Sequence, residues 1–170
     1  IYPQAYLSSS TFIKKLQNMG NNIEYIELSK TNEIPESCNC LVIPPLTQDI
    51  NEQEKNAINN YINKGGNIML LQESKSLLTN ETPNFDSIMA LYGFKIANGV
   101  VMEPQQENIV NNAPGFIYAN MNLDNEVYKT LDEKSRLCLI DTGRIIFESQ
   151  ETLNNLNVSY KVLASASNNA

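Results

Sequence analysis

The chain of 170 residues has the length of one folded domain, and its 42% hydrophobic and 18% charged residues are typical of a globular protein. Its net charge of -7, without any run of Lys or Arg, makes nucleic acid an unsuitable partner because phosphate binding needs clustered positive charge. The absence of histidine excludes catalytic pairs in which His activates Ser or Cys, as well as metal sites built on imidazole.

The first half of the chain predicts helices and strands in alternation. Residues 8–20 place apolar side chains at helical spacing, and Ser9 or Ser10 can cap that helix. Residues 22–29 alternate between two faces, which predicts a strand. The apolar run at 40–44 predicts a second strand that is covered on both faces and stops at two prolines.

The clearest helix signal follows that strand. Asn51 can cap its N-terminus, Glu54 completes a capping box, and Gly65 is its C-terminal stop. The apolar run at 67–72 predicts another buried strand, and residues 83–93 predict a short helix. This alternation favours right-handed crossovers onto a mostly parallel sheet.

The second half of the chain is richer in strand signals. Asn98-Gly99 is the strongest turn signal and predicts a strand on each side, within residues 94–103. The stretch at 104–122 is polar and reads as irregular, and residues 123–134 read as a helix. Three strands are predicted to close the chain, at 136–140, 144–147 and 158–164. Residues 1–170 are thus interpreted as a single α/β domain with additional antiparallel strands in its C-terminal half.

The apolar runs all fall short of the roughly 20 residues that a membrane-spanning helix requires. The chain begins at Ile1 without a recognisable signal peptide. We therefore expect it to be an excised soluble segment of a larger membrane protein.

Three cysteines leave three interpretations open. Cys38 and Cys40 form a Cys-x-Cys pair that can join a thiolate metal site, but a closed site needs four ligands and no second pair exists. In a strand the two would point to the same face, as expected for small buried hydrophobic residues. A disulfide to Cys138 is the third interpretation.

Several short motifs occur in a fixed order along the chain. They are Ile34-Pro35, Leu41-Val42-Ile43, Pro45, Glu54, Tyr61-Ile62, Gly65-Gly66 and Glu73, followed by ALYGFKIANGVVMEP, in which Glu103 stands where Asp is usual, and by VLASASNNA. Together they resemble the soluble domain of GldG-type proteins, which are auxiliary components of ABC-type transport systems. That domain normally opens with a strand and a Thr-Gly-His-Gly-Glu type loop, and this sequence starts at or after that point.

The resemblance implies an α/β fold with a mostly parallel sheet flanked by helices, flavodoxin-like or glutamine-amidotransferase-like, related also to the N-terminal domain of intraflagellar-transport proteins. It implies a non-catalytic domain on the extracytoplasmic face of the cell membrane, anchored by segments outside this chain. Its implied partners are the permease and ATPase subunits of the same system, and an envelope component or small-molecule ligand. Neither a cofactor nor a metal is expected. The sequence agrees with the absence of the amidotransferase catalytic set, because no Gly-x-Cys-x-Gly elbow surrounds any cysteine and no His is present to activate one.

Four residues follow predicted strands and are candidates for lining a ligand-binding cleft, because ligands of open parallel sheets bind beyond the carboxyl ends of the strands. They are Thr47, Glu73, Ser74 and Glu103. Glu73 and Glu103 can bind a cation or sugar hydroxyl groups, or act as an acid/base pair. The alternative is that both are solvated loop carboxylates.

Two enzyme hypotheses and a cofactor hypothesis compete with the binding role. A glycoside-active enzyme would use Glu73 and Glu103 as its two carboxylates. Asp141-Thr142-Gly143 resembles the aspartic-protease triplet, but a second copy is absent and the position between two strands favours a turn. A flavodoxin-like cofactor binder would need a phosphate loop, for which only residues 8–11 are suitable.

Overall fold

The computed structural model describes residues 11–46, 48–72, 74, 81–132, 134–168 and 170. These residues fall into two compact units. The first draws its described residues from Ile1–Gln72 and Leu78–Ile88, and the second from Glu73–Leu77 and Met89–Ala170. The interpretation of the chain as a single domain stays a prediction.

The first unit contains two strands and the helices around them. Its elements in chain order are α1 (Thr11–Asn18), β1 (Cys40–Ile43), α2 (Glu52–Asn63) and β2 (Asn67–Leu70), followed by the first part of α3 (Pro83–Ala90). Strands β1 and β2 pair in parallel, with Cys40 opposite Asn67 and Ile43 opposite Leu70. Helix α2 forms the crossover between them, as a parallel pair requires.

Both ends of α2 are closed by the residues that the sequence predicts. The Asn51 side chain accepts a hydrogen bond from the Glu54 amide, and the Glu54 carboxylate accepts one from the Asn51 amide, each at 2.9 Å. Gly65, with a φ of 84°, donates to Ile62, and Gly66 donates to Tyr61. These are the two bonds of a Schellman motif, so the capping box and the glycine stop are both confirmed.

The core of the first unit is formed by one stripe of α2 and by neighbouring apolar residues. Helical spacing predicts a buried stripe of Ala57, Ile58, Tyr61 and Ile62, of which the first three are buried and Ile62 is half-buried. Phe85 and Ile88 of α3 are each 1% exposed. Asp49 fixes the start of α3, since its carboxylate accepts hydrogen bonds from the amides of Asn84 and Phe85.

The second unit is built mainly from short antiparallel strands. Its elements are β3 (Phe94–Ile96), β4 (Ile109–Val110), β5 (Ala113–Met121), β6 (Leu137–Ile140), β7 (Ile145–Phe147), α4 (Gln150–Asn155) and β8 (Ala164–Ser165), with single 3-10 turns at Gln106–Asn108 and Glu126–Tyr128. Strand β5 pairs with β4, β6 and β8, and β3 pairs with β7, all antiparallel. Ile117 at the centre of β5 and Leu153 of α4 are buried.

The predicted mostly parallel, flavodoxin-like sheet is wrong. Among the described residues, helices and strands are both present, but only β1 and β2 pair in parallel and every sheet is short. The paired strands β4 and β5 are joined only by Asn111 and Asn112. That connection is too short for a parallel crossover, which takes a dozen residues or more.

Residues 22–29 form no strand, and their exposure does not alternate, with Ile23, Ile26 and Leu28 half-buried and Tyr25 exposed. The apolar and polar side chains are mixed on both faces of that stretch, so neither face favours burial in a sheet.

The predicted hairpin at Asn98-Gly99 is also wrong. Strand β3 pairs with β7, and the amides of Ala97 and Val101 donate to the carbonyls of Arg144 and Thr142. The segment after β3 therefore lies along residues 142–144 and does not fold back on β3.

The stretch at 104–122 is structured where the sequence predicted irregularity. It contains β4 and β5, joined by Asn111 and Asn112, whose φ angles are 54° and 57°. Two central residues with positive φ form the kind of turn that matches the twist of a hairpin, and Asn tolerates this conformation better than most residues.

Two further predictions are only partly met. The helix expected at 123–134 is reduced to the turn at Glu126–Tyr128, and the closing strand at 158–164 to Ala164–Ser165. Ser9 and Ser10, the predicted caps of α1, lie outside the described residues.

In the part of the chain that the structure describes, no helix combines the length and apolar character needed to cross a membrane.

Candidate functional site

Of the four predicted cleft residues, the structure describes two. Ser74 and Glu103 both belong to the second unit, whereas Thr47 and Glu73 lie outside the described residues. Residues 8–10 of the proposed phosphate loop lie outside them as well.

The Ser74 side chain is completely buried and is bound to the backbone of its own unit. Its hydroxyl donates a hydrogen bond of 2.6 Å to the carbonyl of Gly99. A buried hydroxyl needs such a partner, because leaving it unpaired costs about 1–3 kcal/mol. Ser74 thus holds the turn at Asn98-Gly99 against the start of the second unit.

Glu103 is buried as well, with only 1% of its surface exposed. Its Oε1 atom accepts hydrogen bonds from the Gln105 amide and from the Ser167 hydroxyl, each at 3.0 Å. Its own amide donates to the carbonyl of Pro114, at the start of β5. The interpretation of Glu103 as a solvated loop carboxylate is therefore wrong.

The second carboxylate oxygen of Glu103 has a different environment. Oε2 is buried and finds no hydrogen-bond partner among the described residues. The side-chain amide of Asn108 donates to Gln105 Oε1 at 3.0 Å. Glu103 is thus anchored through Oε1, whereas Oε2 is buried without a hydrogen-bond partner among the described residues.

The electrostatics of Glu103 favour the ionised form. Burial raises the pKa of its carboxyl group, but hydrogen bonds from Gln105 and Ser167, aided by Asn108, outweigh burial and hold the pKa below its ordinary value. A general acid at neutral pH needs the opposite, a carboxyl group whose pKa is raised. Glu103 is therefore suited to holding structure or positive charge and unsuited to donating a proton.

The partner Ser167 could not be inferred from spacing, because it lies 64 positions from Glu103. It is placed by the pairing of β8 with β5, in which Ser165 lies opposite Asn120 and Ala164 opposite Met121. The sequence signal for this segment is VLASASNNA, one of the motifs of the resemblance, but nothing in it identifies Glu103 as the partner.

The Asp141-Thr142-Gly143 triplet bends at Asp141, whereas Thr142 accepts a hydrogen bond from the Val101 amide. Asp141 has a φ of 45°, and its amide donates to the carbonyl of Gly115 at 2.9 Å. The bend joins β6 to β7, which belong to different sheets. Its local role is to redirect the chain between those sheets.

The three cysteines, all described, carry free thiols. Cys40 and Cys138 are exposed, and Cys38 is half-buried. The interpretation of Cys38 and Cys40 as buried hydrophobic residues is therefore wrong for Cys40, and Cys38 is only partly buried. The disulfide to Cys138 is not formed. No group of three or more Cys, Asp or Glu side chains suited to a metal ion occurs among the described residues.

Comparison with known proteins identifies the family of the chain. Residues 5–117 match the family model described as an ABC-type uncharacterized transport system. No curated protein and no solved structure matches the chain. Because the family match covers more than half of the 170 residues, the chain belongs to this family of ABC-type transport auxiliary proteins.

Proposed function

We propose that the chain is a non-catalytic, extracytoplasmic module of its transport system, comparable with the soluble domain of GldG-type proteins. It would present a surface to the permease and ATPase subunits of the same system. It would also contact an envelope component or a small-molecule ligand. The observation that carries this proposal is the family match over residues 5–117.

The two described cleft residues support a role without catalysis. Ser74 and Glu103 are both buried, and both use their side chains to hold their own unit together. A glycosidase acid needs access to the sugar and a raised pKa, and Glu103 has neither. Thr47 and Glu73 remain the residues proposed for any ligand contact.

Affinity capture of the full-length membrane protein from its native host tests the proposed partners. We expect an ABC ATPase and a permease to be enriched over a tagged, unrelated membrane protein expressed at the same level. If neither subunit is enriched, the proposed place in the transport system is wrong.

The exposed thiols offer a separate test of the proposed side of the membrane. The double variant Cys38→Ser/Cys40→Ser leaves Cys138, which is exposed, as the reporter within this chain. A membrane-impermeant maleimide is expected to label it in intact cells if the module is extracytoplasmic. Labelling only after lysis would contradict that location, and the triple Cys→Ser variant controls for cysteines elsewhere in the protein.

A further inference from the structure

Strand β6 forms one edge of the sheet around β5. That sheet has the strand order β4-β5-β6, so β6 pairs with β5 on one side only. Among the residues that the structure describes, no hydrogen bond reaches the strand from its other side. An open strand edge presents unpaired backbone groups and is therefore a template for pairing with another chain.

The hydrogen bonds to β5 show which backbone groups of β6 point outwards. The Asp141 amide donates to the Gly115 carbonyl, so these two residues occupy a hydrogen-bonded position of the antiparallel ladder. Bonded and non-bonded positions alternate along such a ladder. Cys138 and Ile140 therefore fall at non-bonded positions, and their amides and carbonyls point away from β5 towards the free edge.

One face of this edge is apolar and open to solvent. Ile140 is 60% exposed, and Cys138 is exposed as well. Their register partners on β5, Phe116 and Tyr118, lie on the same face and are half-buried, whereas Ile117 on the opposite face is buried. A strand that paired with β6 would continue the ladder and cover part of this apolar face.

The charges at the two ends of β6 fit a second copy of the same strand. Arg136 directly precedes β6 and is exposed, and Asp141 directly follows it. When two copies of β6 lie antiparallel, Arg136 of each copy comes to the end that carries Asp141 of the other. A parallel arrangement would bring like charges together. Opposite charges on neighbouring strands stabilise a pair, and like charges destabilise it.

We propose that the chain forms a two-fold symmetric dimer through antiparallel pairing of β6 with β6 of a second copy. The same surface serves both copies, as in other isologous interfaces. The outward amides and carbonyls of Cys138 and Ile140 find partners in the other copy, and the Ile140 side chain is covered. Because the strand has only four residues, the area buried is small and the dimer is weak and reversible.

Sedimentation equilibrium of the reduced 170-residue chain measures the association. Since small interfaces bind weakly, we expect a reversible dimer to form as the concentration rises from about 10 μM to about 1 mM. The buffer contains about 0.15 M salt, where a Debye length of about 8 Å limits repulsion between the two acidic copies. A chain that stays monomeric up to about 1 mM overturns the proposal.

Ile140→Lys tests the edge itself, because lysine on an edge strand opposes pairing with another chain. We expect this variant to weaken the dimer about tenfold or more, since like charges then meet across the interface near Arg136 of the other copy. Ile145→Lys is the matched control, with the same charge change at a position that is 51% exposed and lies in another sheet. Far-UV circular dichroism verifies that both variants are folded. An unchanged dimer in Ile140→Lys, or an equal loss in Ile145→Lys, overturns the proposal.

Cys138 reports the symmetry of the pairing. In the Cys38→Ser/Cys40→Ser variant it is the remaining thiol, and antiparallel pairing places it beside its own copy near the two-fold axis. A short bismaleimide is therefore expected to link two chains. The Cys38→Ser/Cys138→Ser variant leaves the exposed Cys40 of the first unit and should be linked only at the rate of random collision. Equal linking of the two variants contradicts the pairing of β6 with itself.

Discussion

Gly66→Ala is expected to destabilise the first unit because its new methyl group would overlap the Tyr61 ring. A Cβ atom at position 66 would lie 2.3 Å from Cε1, 2.4 Å from Cζ and 2.5 Å from Cδ1 of Tyr61. Ordinary contacts to a Cβ are more than an ångström longer. Either the ring or the turn after α2 must therefore move.

The cost follows from how the ring is held. Tyr61 is 8% exposed, and its single O–H proton is shared between the carbonyls of Cys38 and Asn67, each at 3.2 Å, so moving the ring strains the core and breaks this bifurcated hydrogen bond. Overpacking costs about 1–3 kcal/mol and the hydrogen bond adds about 1 kcal/mol. We expect a loss of about 2–4 kcal/mol. This corresponds to about 1–2 M in the urea midpoint at a slope of about 2 kcal/mol/M.

Urea unfolding followed by far-UV circular dichroism measures this loss, and the adjacent glycine is the matched control. Gly65 has a φ of 84°, and a Cβ there meets nothing within 4 Å, so Gly65→Ala pays only the backbone cost of about 1–2 kcal/mol. In a Tyr61→Ala background, Gly66→Ala should cost less than about 0.5 kcal/mol. An undiminished cost in that background would refute the steric explanation.

Three further predictions concern other parts of the chain. Asn51→Ala is expected to lose about 1 kcal/mol of unfolding free energy with the N-cap of α2, measured by urea unfolding. Ile117→Ala should cost about 2–5 kcal/mol because the side chain is 1% exposed, whereas Ile145→Ala, at a position 51% exposed, should stay within about 0.5 kcal/mol of the wild type. The lowered pKa of Glu103 means that its stabilising effect is complete above the ordinary glutamate pKa and disappears as the pH falls through the folded value. Glu103→Gln should therefore flatten the decline in stability between about pH 6 and pH 3, and an unchanged decline would contradict this assignment.

Local signals in the sequence predicted local structure well. The capping box at Asn51 and Glu54 and the stop at Gly65 depend on atoms within a few residues, so the sequence alone contains all the partners. For the same reason the buried stripe of α2 followed from its spacing.

Signals that depend on a distant partner were less informative. Asn98-Gly99 has the composition of a hairpin turn, yet β3 pairs with β7 from far along the chain. Asn111 and Asn112 form the hairpin turn that composition did not single out. A turn sequence makes a hairpin possible, but the strands available on either side decide whether it forms.

The candidate site illustrates the same limit. The sequence singled out Glu103 through a motif of the resemblance and placed it at the end of a predicted strand, which the structure does not form. Its burial and its bond to Ser167 depend on β8 lying against β5, which is a tertiary arrangement. Likewise, the sequence showed that Cys38 and Cys40 lie two positions apart, whereas only the folded unit brings the Tyr61 hydroxyl to the carbonyl of Cys38.

Composition and order of motifs thus determined the broad class of this protein, including its acidic, histidine-free character and its family. Helix ends were determined locally because hydrogen bonds of caps and stops close within a turn or two. Strand partners, sheet direction and the environment of each buried polar group were decided only by the tertiary structure. These features depend on contacts between distant residues, whose formation reflects the whole folded unit and cannot be read from any single segment.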